Sequence, residues 1–166
     1  RTPAVHRHRD EVVAVLEAGV DGVDFIAINT DAQALHHSKA ATKIDIGKDA
    51  TRGLGAGADP SVGEQAATES AEAIKKSLEG ADMVFVTIGA GGGTGSGAGH
   101  VVANLARGMG ILVVGFATKP FVFEGEKRRK NAEAAIEKYK AAEAADGDRV
   151  EITPETPIGE LAALAA

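Results

Sequence analysis

Apolar runs alternate with amphipathic stretches along most of this chain. Met83-Val84-Phe85-Val86-Thr87-Ile88 is apolar on both faces, as a strand buried between two helical layers should be. Residues 23–28 and 111–117 have the same character, and Thr42–Ile46 reads as a shorter strand. Between them the spacing turns helical. Val12, Val13, Val15 and Leu16 predict a helix over 10–18, with Gly19 as its stop. Asn29-Thr30-Asp31 closes the strand before it and can cap a short helix, Ala32–His37. Asp59 and Pro60 open a long helix that runs to about Glu79 and stops at Gly80. Val101, Val102, Leu105 and Ala106 predict a helix to about Arg107, and a charged helix covers 126–145. Strands alternating with helices make an α/β domain, a Rossmann-like parallel sheet flanked by helices.

The loops carry the candidate chemistry. Gly89-Ala90-Gly91-Gly92-Gly93-Thr94-Gly95-Ser96-Gly97 joins a buried strand to a helix. A helix start presents unpaired N–H groups and a positive dipole end, which suits a phosphate. Glycine lets a ligand approach the backbone closely, and Thr94 and Ser96 can add hydroxyl donors. Two other readings are weaker. A flexible spacer does not fit the structured flanks. A dinucleotide fingerprint fits Gly93 to Ala98, yet the next strand ends in Ala117-Thr118 without a carboxylate for a ribose. No P-loop pattern occurs.

In open parallel sheets ligands lie beyond the carboxyl ends of the strands. The loops at those ends are 29–31, the glycine-rich 53–59, 89–97 and 119–125. Two glycine-rich loops suggest a polyphosphate held by several backbone cradles. Glu124 and Arg128 stand just past the third long strand, where they could meet a ribose or base. Each has a plainer role, Glu124 as a helix-start carboxylate and Arg128 as a solvated charge.

Composition narrows the partners. The 166 residues carry a formal net charge of -6, which argues against nonspecific nucleic-acid binding. Aromatics make up only 4%, so the core must be Ala, Val, Ile and Leu. Without cysteine there is no disulfide scaffold or thiolate metal site. No apolar stretch approaches the ~20 residues of a membrane span. A cytoplasmic location is therefore expected.

Gly91-Gly92-Gly93-Thr94-Gly95-Ser96-Gly97 resembles the signature of the tubulin/FtsZ GTPase superfamily. The surrounding chain is similar to its FtsZ branch, the ring-forming division proteins of prokaryotes. The likeness rests on Phe25 to Leu35, Thr51 to Gly57, Gly80 to Thr87 and Lys119 to Gly125, and spans roughly 10–140. It implies GTP or GDP as ligand, with Mg2+, and Gly91 to Gly97 around the phosphates. By the same resemblance Gly55, Ala56 and Gly57 approach the γ-phosphate. Asn29 and Asp31 lie toward the phosphate–magnesium end, and Glu124 with Arg128 near the ribose. The family assembles head to tail, and a neighbouring subunit donates the acidic loop that completes hydrolysis.

Both ends depart from that pattern. Arg1 to Arg9 form a basic arm where the family has an apolar strand and a first phosphate loop. Residues 146–166 form a divergent tail with a short strand candidate at Arg149–Ile152, and neither the guanine-binding Asn nor the acidic loop is matched. The domain over 10–145 is thus expected to be an incomplete FtsZ/tubulin GTPase domain. Its own turnover should be negligible, since no catalytic residue can be assigned. Loss of the first strand should leave its neighbours with unpaired ladder groups, unless Arg149–Ile152 or another chain fills the gap. The alternative reading is a non-catalytic interaction module with weak or no nucleotide binding.

Overall fold

A computed structural model describes residues 23–143 of the chain. The predicted helix over 10–18, the basic arm and the tail with Arg149–Ile152 lie outside the described residues. Within them the α/β reading holds. β1 (Ile26–Asn29) leads to α1 (Ala32–His37), β2 (Thr42–Asp45), α2 (Lys48–Thr51), α3 (Pro60–Glu69) and α4 (Ala71–Leu78). β3 (Met83–Gly89), α5 (Thr94–Gly108), β4 (Leu112–Thr118), a 3-10 turn at Val122–Glu124 and α6 (Glu126–Glu143) follow.

The strands pair in parallel, Ile26 to Asn29 against Thr42 to Asp45 and Met83 to Gly89 against Leu112 to Thr118. They form separate two-stranded sheets, and among the described residues no ladder joins β1 to β3. One hydrophobic core nevertheless serves both. Ile28 from the first pair and Ile46, just past β2, meet Val86, Ile88 and Ala117 from the second, with Ile74, Val102, Ala106 and Ile136 from the helices. The Tyr139 hydroxyl donates to the Val86 carbonyl, tying α6 to the back of β3.

One expectation needs correction. The predicted helix from Pro60 to about Glu79 is broken at Ser70, which sits at φ -96 and ψ 16 between α3 and α4. The break frees groups that hold α2. Ser70 Oγ accepts from the Gly47 amide at 3.0 Å, and the Glu69 carboxylate accepts from the amides of Asp49 and Ala50. α2 itself had no periodic signature. It is a single turn bounded by Gly47 at φ 68 and Arg52 at φ 52.

α3 and α5 touch backbone to backbone. A Cβ on Gly63 would clash with the Gly93 carbonyl oxygen, and one on Gly97 would fall 2.5 Å from the Glu64 amide nitrogen. Glycine is required at both positions by space alone. Gly63→Ala should therefore cost on the order of 1–3 kcal/mol, as overpacked cores do, measured by urea unfolding of the purified chain.

Candidate functional site

The carboxyl ends of β1 and β3 open into the predicted loops, and the structure brings all of them together. Gly89 ends β3, and residues 90 to 99 are all buried, so the glycine turn is recessed. Gly91 takes φ 109, a conformation costly for any side chain. Its amide donates to Ser96 Oγ at 2.8 Å, which closes the turn over the start of α5. Ser96 is thus committed to the shape of the turn. Thr94 is committed as well, its hydroxyl 2.6 Å from that of Thr30. The remaining donors of the turn are backbone amides at the start of α5, which have no partner within the helix.

Thr30 is the residue that sequence reasoning passed over. It is fully buried, and its carbonyl accepts from the Gly55 amide at 3.0 Å and the Thr51 hydroxyl at 3.2 Å. Thr30 therefore links the end of β1, loop 53–59 and the first turn of α5. A lone threonine between an asparagine and an aspartate gives no periodic signal. The pairing exists only in the folded chain, where the end of β1 meets the start of α5.

The second glycine loop lies against the first. A Cβ on Gly93 would stand 2.7 Å from Ala56 Cβ and 2.9 Å from the Asp59 amide. Gly55 and Gly57 adopt φ 86 and φ 59, and Ala58, at φ 60, shares the left-handed region. That strain costs roughly 1–2 kcal/mol. The Ala58 carbonyl accepts from Asn131 Nδ2 at 3.3 Å, which helps hold it. Asp59 then caps α3, accepting from the Ser61 amide at 2.9 Å and the Ser61 hydroxyl at 2.7 Å. The Ser61 hydroxyl, then the Ser61 amide, hold its carboxyl below the usual carboxylate range.

Asn29 and Asp31 flank Thr30. Asp31 caps α1 through Oδ1, which accepts from the Gln33 and Ala34 amides, while Oδ2 faces Gly55. Asn29 is 1% exposed; its Oδ1 accepts from the Asp31 amide, and its Nδ2 has no partner. A buried amide nitrogen left unpaired costs about 1–3 kcal/mol unless something accepts from it. An anionic oxygen would do so. The donor set here, backbone amides with one orphaned Asn amide, fits a phosphate.

On the far side, Gly91 abuts Arg128 and Pro120, its built Cβ lying 3.1 Å from the Arg128 carbonyl oxygen. The Glu124 carboxylate pairs with Arg128 at 3.6 Å and accepts from the Phe121 amide at 3.2 Å. Glu124 and Arg128 are therefore neighbours at the rim of the turn. Leu54, Val122 and Phe123 are exposed apolar side chains on loops 53–59 and 119–125, at 84%, 95% and 76%. The Phe121 and Phe123 rings stack at 5.2 Å.

Two glycine-lined loops thus share one cradle at the carboxyl ends of parallel strands, in an α/β domain. Residues 11–146 match the Tubulin/FtsZ family, GTPase domain. The chain belongs to that family. It is similar to the FtsZ of M. jannaschii, solved as an empty dimer, with 45% identity and a TM-score of 0.77 over 89% of this chain. A CetZ2 protofilament from Haloferax volcanii, bound to GTPγS, shares 25% identity over 81% of the chain at a TM-score of 0.69. CetZ from Methanosaeta thermophila shares 26% over 82%, at 0.64. The chain spans 44%, 43% and 39% of those proteins respectively, less than half of each. No helix among the described residues is long and apolar enough to cross a membrane.

The Thr30–Thr94 pair can be tested by asymmetry. Thr94→Val leaves the buried Thr30 hydroxyl unpaired and should cost about 1–3 kcal/mol, whereas Thr30→Val with Thr94→Val should cost less than the single changes summed. A double-mutant cycle by urea unfolding reads this directly.

Proposed function

We propose that this chain is the nucleotide-binding part of an FtsZ-type, polymer-forming GTPase of prokaryotic cell division, working in the cytoplasm. The observation that carries the reading is the meeting of two glycine loops at Gly93 and Ala56 beside the orphaned Asn29 amide. GTP or GDP is the ligand. Within the turn Gly91 to Gly97, the amides from Gly92 to Ser96 receive the phosphates at the positive end of α5, and Gly55 to Gly57 stand toward the terminal phosphate. Asn29 and Asp31 serve the phosphate–magnesium end, and Glu124 with Arg128 the ribose. Among the described residues no three His, Asp or Glu side chains gather. Mg2+ would accordingly be held chiefly by phosphate oxygens, with Asp31 the nearby carboxylate.

Subunits of this kind dock head to tail, with hydrolysis completed by an acidic loop from the neighbour. Exposed Leu54, Val122 and Phe123 support a docking surface at the rim of the cradle. A second reading, an interaction module with little nucleotide affinity, is favoured by Thr94 and Ser96, whose hydroxyls are spent inside the protein.

Titration of fluorescent GTP, GDP and ATP with magnesium separates the two. Saturable guanine-nucleotide binding near ~1 μM would end the module reading, and no binding at ~1 mM would end the proposal for this chain. Ser96→Ala, which leaves the Gly91 amide unpaired, should weaken nucleotide binding about tenfold, or ~1.4 kcal/mol. Hydrolysis by the isolated chain would show that a catalytic carboxylate lies within it.

A further inference from the structure

Behind the cradle, α3, α5 and α6 meet around one polar cluster. Glu64 on α3 receives His100 Nε2 of α5 at 3.4 Å on one carboxylate oxygen and Lys138 Nζ of α6 at 2.6 Å on the other. The His100 side chain is 11% exposed, and its Nδ1 is buried with no hydrogen-bond partner. A carboxylate only accepts, so the contact assigns the imidazole proton to Nε2 and leaves Nδ1 bare. A second proton would place an N–H on Nδ1, where nothing accepts it. The ring could relieve that only by moving.

The cluster is mechanically close to the cradle. The Glu64 amide nitrogen lies against Gly97, in the turn of α5 preceding His100. Asn131, two turns before Lys138 on α6, donates to the Gly91 carbonyl at 3.5 Å. The same three helices that share Glu64 therefore form the back wall of the glycine turn.

We propose that Glu64, His100 and Lys138 form a positioning brace for the glycine cradle, tight with neutral His100 and loosened when His100 takes up a second proton. The brace concerns the cradle as a structural unit, and only its effect on ligand affinity rests on the nucleotide reading. The charged groups acting on His100 are Glu64 from α3 and Lys138 from α6; α4, β3 and β4, which also pack on α5, add none. Burial is the larger influence and holds the imidazole below its ordinary value of 6.5; Lys138 adds to it, and Glu64 opposes it. The sign follows. The unfolded chain binds the proton more readily, so this contribution to stability is complete above the ordinary value and is lost as pH falls through the folded one.

The test is amide exchange and imidazole titration by NMR on the full chain without nucleotide. Between pH 7.5 and 5.5, protection of the amides over 94–99 should fall in the wild type and stay level in His100→Gln. The Tm should drop over the same range by ~2 °C or more in the wild type, and by less in the variant. Two further variants carry opposite signatures should His100→Gln fail to fold. Glu64→Gln should move the His100 titration down, and Lys138→Met should move it up. Equal pH dependence in wild type and His100→Gln, or a His100 titration at or above the ordinary value, would overturn the brace. So would shifts of the same sign in Glu64→Gln and Lys138→Met. None of these readouts depends on whether a nucleotide binds.

Discussion

The close approach of α3 and α5 is the constraint on which the rest depends. With Gly63 and Gly97 at the crossing, the two helices meet at main-chain distance, and each brings its preceding loop with it. Loop 53–59 enters α3 and loop 89–97 enters α5, so the crossing forces the glycine loops into one recess. Larger residues at either glycine would separate the helices, and with them the two halves of the cradle. The Ala-rich core is part of the same arrangement. Ala66, Ala67, Ala98, Ala103 and Ala106 are fully buried, and small side chains keep the helix layer thin.

Polar groups in the recess divide into those that build it and those that remain available. Thr30, Thr51, Thr94 and Ser96 bond within the protein, and Asp31 and Asp59 spend carboxylate oxygens on helix caps. What is left is backbone amide and the Asn29 side chain. Such a site recognises the shape and charge of a ligand more than its identity, because amide donors accept any well-placed anionic oxygen. On the proposed reading, discrimination among bases would come from elsewhere, since Glu124 and Arg128 stand at the rim.

Most of the architecture was legible in the chain because burial imposes periodicity. The runs at 83–88 and 111–117 became β3 and β4, with boundaries one residue off, although Met83, Phe85 and Leu112 are exposed among the described residues where burial on both faces was expected. Asp31 and Asp59 stand as caps where their positions before helical stretches placed them. The break at Ser70 was illegible because the apolar spacing runs through it; the gain that stabilises it lies across the fold, at Gly47. Thr30 and Thr94 escaped for a related reason. They are 64 positions apart, and no local pattern announces a hydroxyl pair made by folding.

Among the described residues the sheet is divided, and the two strand pairs share no main-chain bonds. In a continuous sheet, opening one strand disturbs its neighbour through shared main-chain bonds. Here β1–β2 and β3–β4 communicate through side-chain packing and the Thr30–Thr94 hydroxyl contact. The recess lies on the seam between the two strand pairs. Whatever occupies it would bridge both at once, so its binding energy would appear as added coupling between β1–β2 and β3–β4.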